Sequence, residues 1–154
     1  MPPVSICRAG PADAATVARF VHALLDELSG GSPPLLQEVM GRAETVLAGT
    51  GVVAAIAWVN EEPVGVMTLN ECAAIYAGGT FGEISELYIR PDMRSKGIAG
   101  HLLDHAQAEA LARGWHRIEV GAPRQPEWHR TLAFYLRNGF AEVGPRLRRL
   151  VQAE

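Results

Sequence analysis

Residues 83–120 carry the order strand, helix, strand, and no other feature of this 154-residue chain restricts its fold as much. "EISELYI" reads as a strand, the span from about Gly97 to Arg113 as a helix, and "HRIEV" as a second strand. Two strands joined through a helix run parallel, with a crossover that is right-handed in nearly all cases. The first of them must end by Arg90, because Pro91 brings no ladder donor and keeps Arg90 out of helical space. In the helix, Ile98, Leu102, Ala106 and Ala110 fall on one face, joined by Ala99 and Leu103. That helix packs on the sheet through a partly small-residue surface.

Upstream the pairing is of the other kind. "VVAAIAWV" and "VGVMTLN" flank the turn "NEEP", a connection tight enough to make an antiparallel pair. Val4 to Arg8 reads as a short first strand, and Pro11 opens a helix stopped by Ser29, Gly30 and Gly31. Val17, Phe20, Val21, Leu24 and Leu28 share one stripe of it. A second helix follows Pro33 and Pro34, with Leu36, Val39, Met40, Ala43 and Leu47 inward and Gly49 and Gly51 at its end. Glu71 to Gly82 reads as a loop, and a loop that long between core strands is often functional. A helix from about His129 to Asn138 and two late strands, "GFAEV" and "LRRLVQ", complete the chain. The expectation is one mixed α/β domain over residues 1–154, antiparallel in front and parallel in the middle, and 48% apolar residues suffice for its core.

Acidic and basic residues are interspersed at a net charge of −3, so neither a nucleic-acid surface nor a membrane-seeking face is expected. The longest apolar run, Val52 to Val59, falls far short of the roughly 20 residues that cross a bilayer. "MPPVSICRAG" lacks the apolar core of an export signal, and Cys7 and Cys72 fit no ligand spacing. Reduced thiols in a cytoplasmic protein are the plain reading; a covalent acyl-cysteine is the alternative.

The junction "RSKGIAG" combines these constraints. The helix opens on "GIAG", almost bare of side chains, which leaves main-chain N–H groups free at a positive helix end. Arg94 and Lys96 flank the same turn, so phosphate is favoured locally in an acidic chain. The plainer possibility is a glycine that only lets the helix pack closely, beside two solvated cations. No P-loop lysine and hydroxyl follow the last glycine, and the spacing is not G-x-G-x-x-G.

Arg94-Ser95-Lys96-Gly97-Ile98-Ala99 after the strand "ELYI", with "FYLRNGF" about forty residues later, resembles the GNAT superfamily of N-acetyltransferases. Its signature is Arg or Gln, two residues, Gly, one residue, then Gly or Ala, and the order of elements agrees over nearly the whole chain. The resemblance implies a single-domain GNAT fold with a mixed, splayed sheet of six or seven strands and about four helices. It implies acetyl-coenzyme A as cosubstrate, with no metal. The diphosphate would lie on amides around Lys96 to Gly100, with Arg94, Ser95, Gly97, Ile98 and Ala99 in the same turn. Leu87, Tyr88 and Ile89 would pair with the pantetheine arm, and a free strand N–H would meet the developing oxyanion.

Tyr135 stands where the family's tyrosine protonates the departing thiolate; packing beside Phe134 and Phe140 is its plainer role. An amine nucleophile must also lose a proton. Glu86, just before the apolar triplet, is the preferred base, with Glu83 or a water chain in reserve. A regular strand turns only one of these carboxylates to the cleft. This chain has Trp128 where relatives often carry a coenzyme-holding asparagine, so that contact is not implied.

His101 and His105 have a metal-ligand spacing but no third ligand, and an outward placement on the helix is expected instead. Arg146 and Arg148 read as a solvated strand edge, or as a contact to an acidic substrate or to the partner subunit of a homodimer. Tyr76 and Phe81 are the first residues to suspect of touching the acceptor. The implied activity is acetyl transfer to an amine of a small molecule or peptide, within a ternary complex. A non-catalytic acyl-coenzyme A sensor and a nucleotide-binding domain are the rival readings.

Overall fold

The computed structural model describes residues 1–152. They fall into two compact units that divide after Val120. In the first, strands β1 (Val4–Ala9), β2 (Val52–Val59), β3 (Glu62–Ala74), β4 (Gly79–Ile89) and β5 (Ile118–Val120) form one sheet in chain order. The first four pair antiparallel, and β5 lies parallel to β4. Helices α1 (Ala14–Leu28) and α2 (Leu36–Ala48) sit between β1 and β2, and α3 (Ile98–Arg113) makes the crossover.

Local chemistry sets these bounds. Asn60 and Glu61, both at positive φ (51° and 63°), make the two-residue turn whose twist suits a β2–β3 hairpin. Gly30 and Gly31, at φ 69° and 99°, end α1. One face of the sheet buries Ala54, Ile56, Val66 and Tyr88 against Ala14 and Val17 of α1 and Leu47 of α2. As the sequence spacing required, α3 buries Ile98, Leu102, Ala106 and Ala110.

The expected loop from Glu71 to Gly82 is mostly sheet. β3 and β4 stay in register from Asn70↔Glu83 out to Ala74↔Gly79, and the connection is a 3-10 turn, Ile75–Ala77, closed by left-handed Gly78. Cross-strand pairing carries this long hairpin despite its glycines. Gly82 has a packing reason: a Cβ there would lie 2.3 Å from the Trp115 ring.

The ladder between β3 and β4 breaks once. Thr68 pairs with Glu86 and Leu69 with Ile84, so Ser85 is an extra residue on β4, a β-bulge. The parallel pairing of β4 with β5 ends at that same point, the last pair being Ile84↔Val120. A bulge bends and twists its strand. Beyond Ser85, β4 therefore runs on to Ile89 with its outer edge unpaired among the described residues.

In the second unit, α4 (His129–Arg137) follows Trp128, and the Asn138 side chain donates back to the Phe134 carbonyl at 2.8 Å. The two late strands expected here do not form among the described residues, so the sheet has five strands rather than six or seven. Gly144 at φ 134° and Pro145 interrupt the segment, and Val143, Leu147 and Val151 lie exposed.

Candidate active site

The bulge decides which side chains meet. Directly opposed residues of an antiparallel pair share a face, and Thr68 and Asn70 are two apart on β3. Their partners Glu86 and Glu83 consequently lie on one face. Strict alternation along β4 separates these carboxylates; the extra residue Ser85 resets it, which overturns the expectation that only one can face the cleft.

Glu86 is tied down on this face. The Thr68 hydroxyl accepts the Glu86 N–H at 3.0 Å and donates to Glu86 Oε1 at 2.5 Å, and Thr68 itself is only 3% exposed. Burial pushes the Glu86 carboxyl above the ordinary carboxylate range, and the Thr68 hydrogen bond partly opposes the rise. A carboxylate held this way is a better proton acceptor than a solvated one.

The unpaired edge of β4 is polar main chain. The Glu86 N–H turns toward β3, and so does that of Arg90, which donates to the Val64 carbonyl at 2.8 Å. Amides alternate along a strand. Those of Leu87 and Ile89 thus turn to the edge where β5 has stopped, as pairing with an extended arm requires.

At the end of this edge the chain turns through Ser95 (φ 61°) and Gly97 (φ 82°) into α3. No side chain caps the helix. The first amide bonded inside it is that of His101, to the Gly97 carbonyl at 3.3 Å, so the amides of Ile98, Ala99 and Gly100 keep no acceptor among the described residues. A Cβ on Gly97 or Gly100 would meet nothing within 4 Å. The turn is open, and an anion the size of a diphosphate has donors to meet and room to meet them.

Arg94 behaves differently from the expectation of a free cation beside that turn. Its guanidinium lies 5.2 Å from the Tyr88 ring centre, donates from Nε to the Ile89 carbonyl at 2.9 Å and pairs with Glu27 of α1 at 2.7 Å. Phe20 of α1 flanks the same tyrosine, with ring centres 6.0 Å apart. Arg94 therefore fastens strand end, turn and α1 together. The local positive field rests on the bare amides and on exposed Lys96.

Of the remaining candidates, Tyr135 belongs to the second unit. It is buried, between Phe134 and Phe140 at 5.4 and 5.3 Å, and burial pushes its phenol up to about 12. Tyr76 is exposed, with Arg117 over its ring at 5.4 Å, whereas Phe81 is buried and so is not an open contact surface. His101 points outward as expected, but His105 does not: its Nε2 is buried without a hydrogen-bond partner among the described residues. Thr68 and Glu27 escaped the sequence reading. Thr68 had one signal, being the lone hydroxyl in the apolar strand "VGVMTLN"; Glu27 had none, because its partner Arg94 is 67 residues away.

β4 thus parts from its parallel neighbour at a bulge and leads into an uncapped glycine turn. The chain matches the model of the acetyltransferase (GNAT) family over residues 19–140 and belongs to that family. A curated relative, the aminoalkylphosphonate N-acetyltransferase of Salmonella typhimurium, is 33% identical over 84 residues. That match covers 54% of this chain and 53% of the relative, about half of each. Among solved structures, the ribosomal-protein-alanine N-acetyltransferase of Brucella melitensis biovar Abortus 2308 superposes with a TM-score of 0.74 at 26% identity, over 96% of this chain and 99% of that one. The structure of a predicted acetyltransferase from Clostridium acetobutylicum, described as with acetyl-CoA, shares the fold at TM-score 0.78 and 21% identity, over 97% of each chain. No helix among the described residues is long and apolar enough to cross a membrane.

Proposed function

We propose that this protein transfers the acetyl group of acetyl-coenzyme A to an amine of a small molecule or peptide, by direct attack within a ternary complex. The observation that carries this reading is the row of acceptor-free amides at Ile98, Ala99 and Gly100, reached from the stretch of β4 that has no strand partner on its outer side among the described residues. The diphosphate would sit on those amides at the positive helix end, and the pantetheine arm would pair with Leu87 and Ile89.

The amine nitrogen attacks the thioester carbonyl carbon; a C–N bond forms and the C–S bond breaks. Negative charge that develops on the carbonyl oxygen meets a strand amide such as that of Leu87. Glu86 takes the amine's proton, directly or through water, and its raised affinity for protons suits that task. Tyr135 returns a proton to the departing sulfur, and a phenol at about 12 remains protonated through the physiological range.

The relatives named above act, by their names, on acceptors as different as an aminoalkylphosphonate and a protein's alanine. The acceptor class is therefore left at a primary amine. The test is release of free coenzyme A thiol by purified protein across an amine panel that includes aminoalkylphosphonates, polyamines, aminoglycosides, amino acids and peptides with free N-termini. Release that depends on one of these amines supports the enzyme. Tight acetyl-coenzyme A binding with no amine-dependent thiol from any of them would instead make the chain a sensor.

A further inference from the structure

We infer that Thr68 is a positioning residue that holds the Glu86 carboxylate at the β4 bulge in the orientation and protonation state needed for proton removal. The inference rests on the reading of Glu86 as the base. It starts from how the bulge is closed. An extra residue leaves a main-chain amide without its regular ladder partner. Here the Glu86 N–H, next to the extra residue Ser85, donates to a side chain, the Thr68 hydroxyl, at 3.0 Å.

A hydroxyl has one proton, and Thr68 uses it on Glu86 Oε1 at 2.5 Å. The same atom thus accepts from the backbone of Glu86 and donates to its side chain, which fixes both ends of one residue. Thr68 is 3% exposed, so water does not readily replace it. With its proton committed to one oxygen, the carboxylate retains the lone pairs of Oε2 for an incoming proton.

Glu83 shares the face of Glu86 on β4, and Arg94 and Glu27 of α1 meet at Tyr88 farther along the strand. Burial raises the carboxyl, and Thr68 is the counterweight. Without that hydroxyl Glu86 would hold its proton to higher pH and be a free base over a narrower range.

Thr68→Val removes the hydroxyl at nearly constant volume, and Thr68→Ser retains it. The first readout needs no acceptor: carbon-13 titration of the glutamate carboxyls in full-length protein, with Glu86→Gln identifying the resonance. Glu86 in the Val variant is expected to titrate at higher pH than in wild type, and in the Ser variant near wild type. Coincident wild-type and Val curves overturn the inference. The second readout uses an amine from the panel that supports thiol release. The Val variant is expected to lose about tenfold or more in kcat with KM for acetyl-coenzyme A unchanged and the acidic limb of the rate profile moved up in pH; Ser restores all three. A Val variant with wild-type kcat, alongside an inactive Glu86→Gln, also overturns it. An active Glu86→Gln would sink the base assignment itself, and with it the catalytic half of the role of Thr68, even if the carbon titrations remained coupled.

Discussion

Placing a carboxylate at the third position of α3 should move stability and coenzyme binding in opposite directions. Gly100 is that position, and a Cβ there meets nothing within 4 Å, so Gly100→Glu introduces no clash. Replacing glycine in a helix by glutamate gains about 0.5 kcal/mol of propensity, and a carboxylate in the first turn gains roughly 0.3–1 kcal/mol from the helix dipole. The fold is therefore expected to gain about 1 kcal/mol, a rise of roughly 2–4 °C in Tm.

The coenzyme feels the reverse. At about 5 Å in an effective dielectric of about 40, the new charge repels each unit of diphosphate charge by ~1.7 kcal/mol. One to two units weaken acetyl-coenzyme A by roughly 15- to 250-fold in Kd. Thermal unfolding and titration calorimetry on the same protein read both quantities. Gly100→Gln, with the same bulk and no charge, is expected to recover most of the affinity. A Gly100→Glu protein that is stabilised and binds acetyl-coenzyme A as tightly as wild type would refute the placement of the diphosphate.

Glu86→Gln is expected to abolish amine-dependent turnover yet stabilise the fold near neutral pH. Because burial raises the Glu86 carboxyl, its favourable contribution is complete below the ordinary carboxylate value and is lost as pH rises through the folded-state value. The Tm advantage of the Gln variant should accordingly grow from pH 4 to pH 7, and a gap that shrinks instead would contradict the burial argument. Tyr135→Phe should lower kcat by about 10²-fold or more with KM for acetyl-coenzyme A little changed. Since the phenol lies at about 12, no alkaline fall in rate from its ionisation should appear below about pH 10; wild-type kcat in the Phe variant would return Tyr135 to a packing role.

What the sequence revealed follows from how local each signal is. The α3 face of Ile98, Leu102, Ala106 and Ala110 was legible because helical spacing alone determines it. The uncapped turn was legible because "GIAG" carries almost no side chain to fill it. The bulge was not. Ser85 looks like any strand residue, and only the pairing of Thr68 with Glu86 beside Leu69 with Ile84 marks it as extra. Missing it placed Glu83 and Glu86 on opposite faces. The long β3–β4 hairpin was hidden for a similar reason, since Gly78, Gly79 and Gly82 announce a loop until cross-strand partners and the Trp115 ring account for them. Arg94 shows the limit of reading charge from composition. Its neighbours in sequence advertise a phosphate ligand, while its partner Glu27 comes from a helix far along the chain.

Amide proton–nitrogen spectra recorded during titration with acetyl-coenzyme A test most directly whether bare main chain grips the diphosphate. The largest shifts are expected at Gly97, Ile98, Ala99 and Gly100, followed by Leu87 and Ile89, and removing the nucleotide end of the ligand should silence the first group while sparing the second. Saturable binding that leaves the amides of residues 97–100 unmoved would contradict the assignment.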